Sequence, residues 1–467
     1  MINPQIFRAY DIRGIADPDP GQTTDLTEQA AYLIGKGAGT YLQEKYQAHT
    51  IAVGRDNRLT GPSLQQAYMK GLAETGMEVT DIDLAISPMT YWAACNNFDA
   101  ATNITASHNP KQYNGIKIVA KNAHSICGDE LQEVRQIIED QKFHKPETPG
   151  TIKGKDIKPE YLNDLSSRLK ISRPLHVVVD AGNGTAGAFA PQFLRSLGLK
   201  VTELYCDLDG TFPNHEANPE DLKNMQDLIA KVKEEGADLG IGFDGDGDRI
   251  GIVDEQGHMY SADFMLLLLT KDLITRIPHP QVVFDVKVSQ AIINLMEKYG
   301  AIPVMSKTGH SFIESRMKEI GAPLAGEVSG HMFFAENFYG FDDALLAAGK
   351  ILEICSNETH PLSQMFNDVP KTFTTPEFKA HCPDNRKFEI TKKLVAHFTS
   401  LYDCITIDGV RVKFSDTDWA AVRASNTSPN LTLRFESETR EGLNKIQKII
   451  IEQLQKYPEV GLGWYKA

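Results

Sequence analysis

Three stretches of this chain follow one plan, and that repetition limits the fold more than any other feature. Each opens with a short apolar strand, passes through a polar turn and a helical stretch to a second strand, and ends with a third strand running into a polar loop. The opening strands are IAVGRDN from Ile51, LHVVVDAGNG from Leu175 and QVVFDVKVS from Gln281. Second strands containing Val79, Val201 and Val304 follow roughly twenty residues later, a spacing that suits a right-handed strand-helix-strand crossover. The third strands deliver NITASHNP, LGIGFDGDGDR and APLAGEVSGH. Ligands of open α/β sheets gather at the carboxyl ends of strands, so these equivalent loops would let three related domains serve one cleft.

The expected fold class is therefore α/β: three related α/β domains around a central cleft, plus a smaller C-terminal α+β domain. The expected divisions are residues 1–150 with TASHNP, 151–258 with DGDGDR, 259–370 with GEVSGH and 371–467 with RASNTSP. The joins are Pro-rich FHKPETPG (Phe143 to Gly150), a turn at EQG near Glu255, and the extended VPKTFTTPEF (Val369 to Phe378). Beyond the last join the pattern changes. ITIDGVRVKF places an Asp408-Gly409 hairpin turn between alternating strands, NLTLRFE reads as another strand, and EGLNKIQKIIIEQLQKY as an amphipathic helix.

At 467 residues the chain exceeds one ordinary core. A hydrophobic fraction of 41% and a charged fraction of 24% read as a soluble globular protein. The apolar stretch near Met265 to Leu269 is far short of the ~20 residues of a membrane helix, and MINPQIFRAYDIRG carries charges where a signal peptide needs an apolar core. The expectation is a cytoplasmic protein without a membrane partner. The six cysteines are scattered, with no CxxC pair, and read as free thiols. A net charge of -14 argues against a nucleic-acid partner, which requires a basic face. Any anionic ligand must be held by a few placed cations.

In DGDGDR the carboxylates of Asp244, Asp246 and Asp248 alternate with glycines, so an extended backbone puts them on one side and the glycines let their oxygens converge. Such a set suits a hard divalent cation, Mg2+ before others. A calcium loop would use Glu255 at its twelfth position, but its sixth, which needs Gly, is Arg249. Ser107 follows a short apolar strand and precedes His108, Asn109 and Pro110; as a nucleophile it would need a base, a metal or prior phosphorylation, and otherwise it belongs to a polar turn. No G-x-S-x-G elbow supports a hydrolase. Arg423, Ser425, Asn426 and Thr427 suit a phosphate dianion, or an exposed turn. Arg13 in AYDIRG, Lys117, Lys287 and His310 read singly as strand or loop residues. GNGTAG (Gly182 to Gly187) matches a dinucleotide fingerprint, with Glu203 about twenty residues on, but the equivalent turns of the other repeats lack those glycines.

With these residues in view, the chain resembles the α-D-phosphohexomutases, most closely the bacterial phosphomannomutase/phosphoglucomutase branch, over essentially its full length. TASHNP resembles the family's phosphoserine loop, which implies that Ser107 is phosphorylated. DGDGDR resembles the metal loop, implying Asp244, Asp246 and Asp248 as Mg2+ ligands beside Ser107. GEVSGH is similar to the sugar loop, where Glu327 and Ser329 would meet hydroxyls, and RASNTSP to the phosphate-binding loop. The resemblance implies interconversion of hexose 1-phosphate and 6-phosphate, of mannose or glucose, through phospho-Ser107 and a 1,6-bisphosphate that also serves as activator. Lys117 is then the first candidate acid/base and His331 the second; Arg249 balances phosphoryl charge, His108 adjoins the nucleophile, and Tyr10, Arg13, Lys287 and His310 bind substrate. The expected assembly is a monomer or weak homo-oligomer. Phosphoglucosamine mutases usually carry Gln before the Ser of the sugar loop and Ser-Gly-Thr in the phosphate loop; Val328 and Ser425-Asn426-Thr427 side with the hexose enzymes, although Val328 replaces the Met common in the nearest branch. A non-catalytic sugar-phosphate-binding protein would need the sugar and phosphate loops but no serine beside a metal trio.

Overall fold

A computed structural model describes residues 2–425 and 428–465. The chain forms two compact units, Met1–Met265 with Ser329–Met365, and Leu266–Val328 with Phe366–Ala467.

The first unit contains two of the three repeats. Strand Thr50–Arg55 lies between Glu78–Leu84 and Ala100–Ile104, parallel to both. Helices Gly61–Glu74 and Ser87–Asn96 make the two crossovers. Tyr113–Ala120 returns antiparallel to Ala100–Ile104, with Ile12–Ile15 beyond it and Ile152–Gly154 on the opposite edge. The second repeat copies this order: His176–Asp180 lies between Lys200–Leu204 and Leu239–Phe243, and Ile250–Asp254 returns antiparallel. Every residue of Leu239–Phe243 is buried, as expected for the central strand of a five-stranded sheet. The calcium-loop alternative ends here, because Ile250–Asp254 is strand and Glu255 lies at its far end, bonded to Ser363.

In the second unit Gln281–Asp285 lies parallel between Ile302–Ser306 and Leu324–Gly326, connected through helices Gln290–Lys298 and His310–Ile320. In each repeat the first and third strands end in register: Arg55 opposite Ile104, Asp180 opposite Gly242, Phe284 opposite Gly326. The loops that follow these strands are thereby set side by side.

The C-terminal part of this unit is the expected α+β layer, an antiparallel sheet centred on Trp419–Ala424 and Asn430–Ser437. Helices Asp384–Thr399 and Arg440–Leu454 cover it, with Ile390, Leu394, Ile446, Ile450 and Leu454 in one core with Val412, Val422 and Leu433. Asp403–Ile405 and Val410–Lys413 form the expected hairpin. Its connection is longer than a two-residue turn, and Asp408 within it accepts from Arg423 Nε at 2.6 Å and the Thr308 amide at 3.0 Å.

Buried polar groups fasten this sheet to the turn after Asp285. Arg411 donates to the carbonyls of Val286 (2.6 Å) and Val288 (2.8 Å) and lies over the Trp419 ring. The buried Glu436 carboxylate accepts from Ser289 Oγ (2.6 Å), the Gln290 amide (3.0 Å) and Trp419 Nε1 (2.6 Å). Glu436→Ala strands three donors, so we expect a loss of about 3 kcal/mol and a lower urea midpoint, with a smaller loss for Glu436→Gln. Equal midpoints for wild type and Glu436→Ala would contradict this account.

Candidate active site

Strand Ala100–Ile104 ends in a loop that puts Ser107 in the left-handed region, at a φ of 50°. For a residue with a side chain this conformation costs about 1–2 kcal/mol, so neighbouring contacts must hold it. The Ser107 amide donates to Thr105 Oγ1 at 2.9 Å, and its Oγ donates to Asp244 Oδ2 at 2.8 Å and lies 3.1 Å from His108 Nδ1. Its carbonyl approaches Gly245 so closely that a Cβ there would stand 2.5 Å from the oxygen, which is why glycine separates the first two aspartates.

Asp244, Asp246 and Asp248 are fully buried, and an oxygen from each falls within 4.8 Å of the others. The loop is braced from several sides. Asp244 Oδ1 accepts from the amides of Asp248 and Arg249, both at 3.1 Å. Asp246 Oδ2 accepts from Ser87 Oγ (2.6 Å), Thr105 Oγ1 (3.1 Å) and Lys117 Nζ (2.8 Å), and Lys117 also reaches Asp248 Oδ2 at 2.5 Å. Yet Asp246 Oδ1 and Asp248 Oδ1 are buried with no hydrogen-bond donor among the described residues. Orphaned carboxylate oxygens are costly, and beside Asp244 and Ser107 Oγ they make an all-oxygen set that fits a hard divalent cation.

The charges confirm how crowded the site is. Burial, then Asp248 and Asp246, push Asp244 well above the ordinary carboxylate range. Burial also works against Asp248, but Lys117, His331 and Arg249 hold it well below that range. Burial opposes the charge on Lys117, and Asp246 and Asp248 more than compensate, so its ammonium persists. Burial, Arg249 and Arg13 keep His108 neutral, well below the usual histidine value.

His331 is buried and reaches this cluster through the pairing of its backbone with Arg249. Its Nε2 accepts from Arg249 Nε at 2.9 Å, and its Nδ1 donates to Asp342 Oδ2 at 2.5 Å. That pair of bonds sets the tautomer with the proton on Nδ1. Arg13 joins the serine loop by donating to Asn109 Oδ1 at 2.9 Å, and it also pairs with Asp11. Tyr10 and Ser329 belong to the same compact unit and are half-buried.

The remaining sequence-selected residues belong to the second unit. Glu327 is buried and accepts the Gly309 amide at 2.5 Å, next to His310 at the start of its helix. Lys287 pairs with Glu377 at 3.0 Å and lies 3.7 Å from Asp285. Arg423 is held by Asp408, and Ser425 Oγ lies 2.9 Å from Ser428 Oγ. Asn426 and Thr427 lie outside the described residues.

Asp342, Ser87, Thr105 and Arg58 carry no mark in the sequence that singles them out, and Asp408 reads there only as a turn residue. Asp342 and Asp343 form a conspicuous acidic pair, but they divide the labour: Asp343 caps helix Ala344–Asn357 through the Leu346 amide (2.9 Å), and Asp342 serves His331. The dinucleotide-like GNGTAG is explained by packing. A Cβ on Gly184 would lie 3.0 Å from Gly245 Cα, and the Thr185 amide donates to the Gly245 carbonyl at 2.9 Å. These residues support the aspartate loop from beneath.

Comparison with known proteins agrees with the geometry. Four models of phosphoglucomutase/phosphomannomutase domains match in order: alpha/beta/alpha domain I at residues 4–145, domain II at 159–257, domain III at 261–373 and the C-terminal domain at 377–453. The chain is 42% identical over 453 residues to a phosphomannomutase/phosphoglucomutase of Pseudomonas aeruginosa, covering 96% of this chain and 95% of that one. It is 42% identical over 454 residues to a phosphoglucomutase of Neisseria meningitidis, covering 96% of each. A crystal structure of a phosphoglucomutase/phosphomannomutase family protein from Burkholderia thailandensis superposes with a TM-score of 0.90 at 36% identity, over 98% of both chains.

The orphaned oxygens generate a direct test. Asp246→Asn replaces a charged ligand with a neutral amide, and we expect Mg2+ affinity, read by titration calorimetry on the full chain, to fall about tenfold or more. Equal affinity in the two proteins would remove Asp246 from the metal set.

Proposed function

This chain belongs to the phosphoglucomutase/phosphomannomutase family, and we propose that Ser107 is the residue through which it moves a phosphoryl group. It is a phosphohexomutase, an intramolecular phosphotransferase that interconverts hexose 1-phosphate and hexose 6-phosphate. The observation that carries the assignment of Ser107 is its Oγ, 2.8 Å from Asp244 Oδ2 and beside two buried carboxylate oxygens without donors.

In this reading phospho-Ser107 faces the free hydroxyl of a hexose monophosphate. The sugar oxygen forms a bond to phosphorus as the bond from phosphorus to Ser107 Oγ breaks, and the hydroxyl proton leaves to a protein base. The resulting 1,6-bisphosphate turns end for end, and its other phosphoryl group returns to Ser107 Oγ while the sugar oxygen regains a proton. Asp244, Asp246 and Asp248 would hold a Mg2+ ion, which would supply charge neutralisation at the serine phosphate. Lys117, the first candidate acid/base, stays charged on Asp246 and Asp248, which suits charge balance. His331 has Nε2 unprotonated and Nδ1 anchored on Asp342, which suits proton acceptance once Arg249 turns to the phosphoryl oxygens. His108, neutral, lies against the serine oxygen.

Substrate binding falls to Glu327 and Ser329 for sugar hydroxyls, and to Arg423, Ser425, Asn426 and Thr427 for the other phosphate, with Tyr10, Arg13, Lys287 and His310 as further contacts. Asp408 now holds Arg423, so a phosphate must compete with it. The same reading includes hexose 1,6-bisphosphate as activator, a cytoplasmic location, a monomer or weak homo-oligomer, and a four-domain division at residues 150, 258 and 370. No helix among the described residues is long and apolar enough to cross a membrane.

The test combines turnover with mass spectrometry. Active protein should carry one phosphate on Ser107 and, with trace bisphosphate, interconvert the 1- and 6-phosphates of mannose, of glucose or of both; Ser107→Ala should stay folded and lose more than about 1000-fold in kcat. A phosphate on another residue, with full activity in Ser107→Ala, would overturn the assignment.

A further inference from the structure

Arg58 lies in none of the segments that the reaction uses, yet it is as buried as any residue of the core, with an exposure of 1%. It stands in the turn after Thr50–Arg55, where Asp56 takes its amide (2.9 Å) and its Nε (3.1 Å). The remaining donors all go to one place. Nη1 donates to the carbonyls of Pro110 (2.8 Å) and Tyr113 (2.9 Å), and Nη2 to those of Ser107 (2.8 Å) and Asn109 (2.6 Å). All five N–H groups of the guanidinium are therefore used, four of them on the backbone of the serine loop.

We propose that Arg58 is a positioning residue for phosphoryl transfer: its guanidinium is the template on which the loop from Ser107 to Tyr113 is wound, and it fixes the direction in which Ser107 Oγ points. The inference deepens the assignment of Ser107 as phosphoryl carrier and rests on it.

Three observations support the proposal. Ser107 has a positive φ, so its backbone does not rest in this shape unaided. The loop also lacks packing on one side, where Ser107, His108, Asn109, Pro110, Lys111 and Gln112 border a cavity of about 400 Å³. Finally, the Asp56 amide donates to the Ile104 carbonyl at 3.0 Å, tying the arginine's own turn to the strand that leads into the loop. A buried cation on four converging carbonyls thus does what a hydrophobic contact would otherwise do. Lysine cannot replace it, because three donors from one point do not span four carbonyls spread along the loop.

The experiment compares full-length wild type, Arg58→Lys and Arg58→Ala by thermal melting, steady-state kinetics, phosphorylation of Ser107 by glucose 1,6-bisphosphate, and hydrogen exchange over residues 105–113. We expect folded Arg58→Lys to keep KM within about threefold and to lose about 100-fold in kcat, the size of effect that a misplacement near 1 Å produces. Exchange in the loop should rise while the rest of the chain is unchanged. Added guanidinium, at a non-denaturing concentration, should restore part of kcat in Arg58→Ala and none in wild type. If Arg58→Ala does not fold, Arg58→Lys decides alone. A folded Arg58→Lys with wild-type kcat and loop exchange overturns the proposal while leaving the function of Ser107 intact. A wild type that never carries phosphate on Ser107 overturns that function instead, and loop exchange then still decides whether Arg58 holds the loop.

Discussion

The first unit depends on three carboxylates buried within a few ångströms of one another. Like charges out of water repel strongly, and no chain would place Asp244, Asp246 and Asp248 together without neutralising them. Much of the neighbouring structure answers that demand. Lys117 comes from the return strand Tyr113–Ala120, Ser87 from the start of a crossover helix, Thr105 and Ser107 from the serine loop, and backbone amides from the aspartate loop itself. What these leave unmatched, Asp246 Oδ1 and Asp248 Oδ1, is what a divalent cation would complete. An excess of buried negative charge of this kind fits a doubly charged cation.

Much of this was legible in the sequence, because repetition and reactive side chains both leave marks. The strand-helix-strand plan appears as apolar runs at regular intervals, and its parallel ladders follow from crossover geometry. DGDGDR is legible because alternating acids and glycines have few other uses. Residues whose role depends on a distant partner were not legible. Asp342 looks like half of an acidic pair, and only its 2.5 Å bond to His331 separates it from Asp343, which caps a helix. Asp408 looks like a turn residue until Arg423 and the Thr308 amide are seen on its carboxylate. GNGTAG gave a misleading signal for a physical reason: glycines that let a backbone approach a dinucleotide look the same as glycines that let it approach another loop.

One regularity connects what was legible with what was not. In every repeat the end of the first strand, or the loop after it, supports the loop after the third. In the first, Arg58 binds four carbonyls from Ser107 to Tyr113. In the second, Thr185 donates to the Gly245 carbonyl. In the third, the support comes from the end of the first strand itself, where Asp285 Oδ1 accepts from the Val328 amide at 3.3 Å. The register explains it: the first strand is central and ends level with the third, so their loops must touch. A loop that carries chemistry needs particular side chains, which a sequence displays. Its support needs only a donor, an acceptor or an absent Cβ at the right height, and each repeat met that need differently, with an arginine, a glycine turn and an aspartate. The reacting loops could therefore be read from residue types, whereas their supports became visible only when strand register placed the two loops together.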